Sequence, residues 1–204
     1  MAGSERGPRE RMVLSAAQLI RNRGVTATGM RDVAVHADAP RGSLRHYFPG
    51  GKDQLVNEAV DWAGRYAARR IDRYMSQMQR PTPSGLFERM ARQWIDEFRD
   101  TGFGSGCPLA ATAADSAGGS DAAARATADA FTAWRRQIAL ALKDMGVPPV
   151  RARSLATLMV SSLEGALLIA RAERDVSPIR AVVRELAPLL DASTTAEDPR
   201  AGVR

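Results

Sequence analysis

Two short helical patterns separated by a very small break limit what this chain can fold into more than any other feature does. Within residues 28–55, the first pattern places apolar residues at the 3, 4, 7 spacing of one helix face: Met30, Val33, Ala34 and Ala37. Asp38-Ala39-Pro40 then interrupts, and a second short helix is predicted over residues 41–48. A break of three residues suffices only for a tight corner, so the sequence predicts a helix-turn-helix.

The second helix has the composition of one that reads DNA. Leu44 and Phe48 can point inward while polar and cationic side chains point outward. An α-helix fits the major groove and arginine commonly pairs with guanine, so Arg41 and Arg45 are predicted to contact bases or phosphates. Asp38, at the corner, is of a residue type that tolerates a left-handed backbone. The predicted DNA-contacting residues are Thr28, Arg31, Pro40, Arg41, Gly42, Ser43, Arg45, His46, Tyr47 and Lys52.

The distribution of charge agrees with this interpretation. Residues 1–52 hold nine Arg and Lys against four acids, a net +5, and the formal charge of the whole chain is +6. A basic N-terminal module on a nearly neutral body is typical of nucleic-acid binding. The alternative is a merely soluble basic surface.

These motifs resemble the DNA-binding domain of TetR/AcrR-family transcriptional regulators. The matching elements are Gly24, Thr28, residues 31–34, residues 42–44, Phe48 and residues 52–55. The stretches Phe48-Pro49-Gly50-Gly51-Lys52 and Gly106-Cys107-Pro108-Leu109 are similar to the LmrA/YxaF-like branch. Two positions depart from the family pattern: Arg45 replaces a tyrosine that usually contacts phosphate, and Gly29 replaces a threonine whose hydroxyl caps a helix.

The rest of the chain is predicted to be all-helical, with about nine helices, because alanine, leucine and arginine dominate and aromatics make up only 5%. We expect a disordered arm over 1–8, the helix-turn-helix domain over 9–51, a ligand-binding and dimerisation domain over 52–191, and a disordered tail over 192–204. A long helix from residue 52 to about 79 is the predicted mechanical link between the two domains. The N-terminus lacks the apolar core of a signal peptide, so a cytoplasmic location is expected.

Several large apolar residues of the body are predicted to line a chamber for a small-molecule effector: Trp62, Met90, Trp94, Phe98, Phe103, Cys107, Leu109, Phe131, Trp134 and Leu163. The competing interpretation is that they fill an ordinary core. Cys107, at a predicted helix start, is either a thiol sensor or a small core residue. A lone cysteine with two histidines is too little for a metal cluster, and no cofactor site or catalytic constellation is visible.

A helix over about 150–175 is apolar nearly all round, so it must be covered on two sides. A membrane span is the alternative, but the run is short and contains Ser161, Ser162 and Glu164. With the next helix it is predicted to form a four-helix bundle with a second copy, as the family resemblance also implies. The predicted interface residues are Leu155, Met159, Ser162, Ala166, Ile179, Val182, Val183 and Leu186.

The resulting expectation is a homodimeric regulator that binds an inverted-repeat operator in double-stranded DNA. Repression relieved by a small apolar or amphipathic effector is the leading mechanism, because a ligand that prefers one shape of the body shifts the DNA-binding equilibrium. Two alternatives stay open. One is a helical ligand-sequestering or protein-interaction module with a nonspecific basic surface, and the other is a redox-sensing regulator that acts through Cys107.

Overall fold

The computed structural model describes residues 7–40, 42–115 and 121–194. Over these residues the chain forms nine α-helices and a final 3-10 turn, which confirms the predicted all-α class. The helices are α1 (Pro8–Arg23), α2 (Met30–His36), α3 (Ser43–Tyr47), α4 (Gly51–Ser76), α5 (Pro83–Thr101), α6 (Pro108–Asp115), α7 (Asp121–Asp144), α8 (Pro149–Glu173) and α9 (Ser177–Asp191).

The chain groups into two compact units. Unit 1 comprises Met1–Tyr66 and Ser105–Ala133, and unit 2 comprises Ala67–Gly104 and Trp134–Arg204. The sequence predicted a division after residue 51. The compact grouping instead keeps α6 and the first half of α7 with the helix-turn-helix, and α4 continues from one unit into the other.

The core of unit 1 is built around the apolar face of α1, which packs against α2 and α6. Met12, Ala16 and Ile20 are each at most 1% exposed on that face. Gly24 ends α1 with a φ of +85°, and its amide donates to the Ile20 carbonyl, as is common at the C-terminal end of a helix.

Hydrogen bonds also join α1 to the segment that opens α6. The Arg21 Nε donates to the Gly106 carbonyl at 3.0 Å, and the Gly106 amide donates back to the Arg21 carbonyl at 3.0 Å. At the far end of α6, the Asp115 carboxylate accepts the Thr26 amide at 2.9 Å. These bonds make residues 105–115 part of the body that supports the helix-turn-helix.

In unit 2, α5 packs against α8 and α9, and α8 packs against α9. Buried large side chains come from each of these helices, among them Phe98, Leu163 and Ile179, all at 0% exposure. Thr82 caps α5, since its Oγ1 accepts the Gly85 amide at 3.1 Å. By length and composition α8 is able to cross a membrane, and 44% of its most apolar window is buried within the protein.

The two chain ends differ in part from expectation. Pro8 was assigned to the N-terminal arm but is the first residue of α1, where proline is favoured. The tail was predicted to begin at residue 192, whereas Ala192–Thr194 form a 3-10 turn in which the buried Ser193 hydroxyl donates to the Leu190 carbonyl. The remainder of the predicted arm and tail, residues 1–6 and 195–204, lies outside the described residues.

Candidate nucleic-acid interface

The corner between α2 and α3 has the geometry that the sequence predicted. Asp38 adopts a φ of +48°, in the left-handed region that aspartate tolerates. Its amide donates to the Val35 carbonyl at 3.2 Å, and the Ala39 amide reaches back to the Ala34 carbonyl at 3.0 Å. These bonds close the end of α2 and turn the chain towards α3. At the start of α2, Gly29 occupies the N-cap without any side-chain hydrogen bond, as expected of its missing hydroxyl.

The short helix α3 is anchored by apolar side chains and displays polar ones. Leu44 is 8% exposed and Phe48, which follows the helix, is 1% exposed. Arg45 and His46 are exposed, and Tyr47 is partly exposed, with its ring 5.0 Å from the His46 ring in an edge-on arrangement. This division between anchored and displayed residues is what a helix needs to enter a groove. The helix is shorter than the predicted span, and Arg41 lies outside the described residues.

The other predicted contact residues are placed in different ways. Arg31, Pro40 and Gly42 are exposed, and Ser43 is partly exposed, with its hydroxyl donating to the Pro40 carbonyl at 2.6 Å. Lys52 is partly exposed, and its Nζ donates to the Thr26 carbonyl at 3.3 Å. It therefore lies at the start of α4 beside the loop between α1 and α2.

Thr28, which is also predicted to contact DNA, is buried beside this surface. Its side chain is only 3% exposed, and its Oγ1 donates to the Gly24 carbonyl at 2.7 Å. The Thr28 amide also donates to the Val25 carbonyl at 3.1 Å. Both of its donors are thus engaged within the loop, where Thr28 shapes the approach to α2.

A polar network that the sequence analysis missed fixes the loop after α3. Arg9 forms an ion pair with Glu58 at 2.7 Å, and its guanidinium lies 5.5 Å from the centre of the Phe48 ring. The Gln54 amide nitrogen donates to the same Glu58 oxygen at 3.0 Å, while its carbonyl oxygen accepts the Gly50 amide at 2.9 Å. The network ties the loop that leaves α3 to both α1 and α4.

A second missed residue acts on the corner itself. The Arg11 guanidinium donates from Nε to the Ala37 carbonyl and from Nη2 to the Asp38 carbonyl, both at 3.0 Å. The acceptors are main-chain oxygens, which any residue type presents. No sequence pattern signals such a pair.

Comparison with known proteins identifies the family to which a chain with this arrangement belongs. A sequence profile described as "Bacterial regulatory proteins, tetR family" matches residues 13–59, and a second, described as "Transcriptional regulator LmrA/YxaF-like, C-terminal domain", matches residues 83–185. The chain belongs to the TetR family. The predicted family and its LmrA/YxaF-like branch are thereby confirmed.

Relatives of known sequence and structure agree with this assignment. The HTH-type transcriptional regulator Rv0196 of Mycobacterium tuberculosis is 43% identical over 190 residues, which cover 90% of this chain and 94% of the relative. LmrA of Bacillus subtilis is 26% identical over 171 residues, covering 84% and 90%. The crystal structure of a TetR regulator from Legionella pneumophila superposes with a TM-score of 0.80 at 18% identity, covering 92% of this chain and all of the other. This TetR-family chain is therefore a transcriptional regulator with a DNA-binding helix-turn-helix domain.

The residues predicted to line an effector chamber are distributed over both units of this TetR-family chain. Trp62, Cys107, Leu109 and Phe131 belong to unit 1. The other six belong to unit 2: Met90, Trp94, Phe98, Phe103, Trp134 and Leu163. Seven of the ten are less than 9% exposed, whereas Trp62, Phe103 and Phe131 are partly exposed.

Phe103 is the most unusual of these residues. It follows α5 with a φ of +65°, a conformation that is rare for a bulky side chain. Its ring centre lies 5.1 Å from that of Phe98, and its amide donates to the Phe98 carbonyl at 3.1 Å. Two arginines at the end of α8 hold the flanking backbone, since Arg174 donates to the Gly102 carbonyl at 3.3 Å and Arg171 to the Gly104 carbonyl at 3.4 Å. The loop therefore keeps a strained residue against the core of unit 2.

A surface cleft of 340 Å³ in unit 2 does not involve the predicted chamber residues. Its lining comes from α5 and α9: Glu88, Ala91, Arg92, Ile95, Asp96, Arg99, Arg180, Val183 and Arg184. Val183, which was predicted to contact a second copy, lies in this cleft.

Half of the predicted interface residues face the protomer's own core. Leu155, Met159, Ala166 and Ile179 are each at most 3% exposed. Ser162, Val182, Val183 and Leu186 are partly exposed. The strongly exposed apolar residues in the second half of α8 are Leu168 at 63% and Ile169 at 50%, neither of which was predicted. The sequence periodicity identified an apolar helix but not which of its faces remains open.

Proposed function

We propose that this chain is a repressor that binds a palindromic operator as a homodimer in the cytoplasm and is released by a small apolar or amphipathic effector. The observation that supports this best is the construction of α3. Leu44 and Phe48 fix the helix to unit 1, while Arg45 and His46 project to solvent. Exposed donors on a rigid helix suit the acceptor-rich edge of guanine in the major groove.

Arg45 is the residue proposed to read a base or to contact a phosphate. Selection of bound DNA from random fragments supplies the operator, and gel shifts then compare wild type, Arg45→Ala and Arg151→Ala. Arg151 is an exposed arginine in the first turn of α8, so it serves as the matched control. Removing a base contact is expected to weaken operator binding by about 1–3 kcal/mol. Unchanged operator affinity for Arg45→Ala would contradict the proposed role.

The salt dependence of the same variant distinguishes the two kinds of contact. A phosphate contact contributes about one counterion, so its loss lowers the slope of log affinity against log salt by about one. A base contact leaves that slope unchanged and relaxes the preference at one operator position. A wild-type protein whose preference for the operator over scrambled DNA disappears as salt rises would instead support the alternative of a nonspecific basic surface.

Dimerisation is proposed through the open face of α8 and the neighbouring face of α9. Leu168 and Ile169, which are adjacent on α8, and Leu189 on α9 are large aliphatic residues that are between 40% and 63% exposed in the protomer. At Gly165, one turn before Leu168, no atom from outside the backbone of its own helix lies within 4 Å of where a Cβ would lie, so a second helix can approach closely there. A two-fold dimer presents two symmetry-related α3 helices, which suits an inverted repeat whose half-sites lie about 34 Å apart or at a multiple of that distance.

Effector binding is proposed for the aromatic part of unit 2. Phe103 is held in a strained conformation against Phe98, and strain of this kind concentrates at ligand-binding sites. An effector that prefers one shape of this unit shifts the DNA-binding equilibrium only by its differential affinity for the two shapes. The test is a panel of apolar and amphipathic compounds added to the operator complex. A compound that releases wild type but not Phe103→Ala supports the proposal, and equal release of both contradicts this placement of the site.

Thiol sensing by Cys107 is the less favoured alternative. Cys107 is 7% exposed immediately before α6, so oxidants and electrophiles have little access to its thiol. Treatment with N-ethylmaleimide followed by the operator gel shift separates the two mechanisms. Loss of operator binding in wild type but not in Cys107→Ser would favour the sensor.

A further inference from the structure

We propose that Arg11 is a positioning residue for DNA recognition, which holds the corner of the helix-turn-helix from α1 and so aims α3 at its target. The inference rests on the proposed reading role of α3. Arg11 itself contacts the main chain of the corner, and it is only partly exposed. Its effect on DNA binding is therefore expected to be indirect.

The two contacts of Arg11 satisfy the carbonyls that directly follow α2. The helix ends at His36, and the Ala37 and Asp38 carbonyls that follow receive the Nε and Nη2 donors at 3.0 Å each. Ala37 is the C-cap residue, so its carbonyl has no partner within the helix. A guanidinium is matched to this position because its planar fork presents two parallel donors.

Fixing these two carbonyls fixes the direction of the chain. Asp38 is the left-handed residue at which the backbone changes course, and only Ala39, Pro40 and two further residues separate it from α3. The peptide planes on both sides of Asp38 are held by one rigid group. The backbone from which Arg11 extends is anchored in unit 1, where the next residue, Met12, is fully buried. A rotation at Asp38 would therefore have to break at least one of the two bonds.

Two other roles for Arg11 make different predictions. A residue that only stabilises the fold changes the melting temperature and leaves operator affinity unchanged while the protein stays folded. A residue that contacts phosphate weakens specific and nonspecific binding alike and lowers the salt slope by about one. A positioning residue instead weakens specific binding while nonspecific affinity and the salt slope stay as they are.

The experiment uses the full-length protein with Arg11→Lys, Arg11→Gln and Arg11→Ala, and with Arg23→Ala as the control. Arg23 also lies on α1, but its partner is the exposed Asp32 carboxylate at 2.6 Å. Each variant is melted first, and affinities for the selected operator and for scrambled DNA are then measured below the lowest melting temperature. We expect operator affinity to fall about 10- to 100-fold for Arg11→Ala and scrambled-DNA affinity to stay within about threefold.

The conservative variants keep the test decisive even if Arg11→Ala does not fold. Arg11→Lys retains the charge but loses the fork, so it is expected to remain at least about fivefold weaker than wild type at the operator. Wild-type operator affinity for both Arg11→Lys and Arg11→Gln would overturn the proposal, as would parallel losses on operator and scrambled DNA. If Arg45→Ala weakens operator binding and the Arg11 variants do not, only this inference fails. If neither Arg45→Ala nor the Arg11 variants weaken operator binding, the proposed reading role of α3 is itself contradicted.

Discussion

The exposed apolar side chains of α8 allow an estimate of how much a double substitution would weaken the proposed dimer. Replacing Leu168 and Ile169 together by alanine removes three carbons from each side chain, and each buried methylene stabilises by about 0.8 kcal/mol. Weighted by exposed fractions of 63% and 50%, the loss is about 2.7 kcal/mol per protomer for complete burial at the interface. A symmetric dimer loses this twice, about 5 kcal/mol, which corresponds to nearly four powers of ten in the dimer Kd.

Sedimentation velocity over a dilution series measures that Kd without DNA. The matched control is the double variant Val35→Ala and Leu140→Ala, whose side chains are 63% and 40% exposed on α2 and α7. The control is expected to dimerise within about threefold of wild type, because neither residue lies on α8 or α9 and single exposed apolar residues are normal. A Leu168→Ala and Ile169→Ala protein that dimerises as tightly as the control would refute the proposed interface.

Three single substitutions give further expected outcomes. Phe48→Ala removes a ring that is 1% exposed, so the free energy of unfolding measured in urea should fall by about 3–5 kcal/mol; a loss below about 1 kcal/mol would contradict its role as an anchor. Gly64→Ala would place a Cβ 2.7 Å from that of Ala130 and 3.0 Å from its Cα, so crowding should destabilise unit 1 by about 1–3 kcal/mol and exceed any gain in helix propensity; a raised Tm would refute this. The Ser177 hydroxyl and amide lower the pKa of Asp175, so wild type should be more stable than Asp175→Asn near neutral pH. The difference should begin to decrease as pH falls below the ordinary aspartate pKa of 3.8 and should disappear as pH falls through the lowered pKa of the folded state; a difference that stays constant from neutral pH to about pH 2 in thermal melts would argue against the hydrogen bonds.

Much of the fold was predictable because local chemistry determines it. The break at Asp38-Ala39-Pro40 predicted the corner, and Asp38 has the left-handed backbone expected of it. Gly24 and Thr82 likewise cap α1 and α5, and both are residue types that favour these positions. Such features depend on one residue and its immediate neighbours, so a single sequence carries them.

The site was less predictable because it depends on which groups meet in space. Ile179 and Leu155 have the apolar spacing of an interface, but periodicity does not distinguish the core of the same chain from a partner. Thr28 matched a family position, yet its burial and its bond to the Gly24 carbonyl follow from the path of the loop. The contacts of Arg11 could not be predicted from the sequence because its acceptors are main-chain oxygens, which every residue type carries.

The hydrogen bonds between α1 and residues 105–115 have a consequence for chimeric regulators. Joining the first 60 or so residues of this chain to the body of a relative would transplant α1, but it would leave behind the Gly106 partner of Arg21 and the Asp115 carboxylate that receives the Thr26 amide. The chimera would keep its reading helix intact only where the new body offered a carbonyl and an acid at matching positions. The relative that supplies the body is therefore better chosen by the residues in and around its α6 than by its overall sequence identity to this chain.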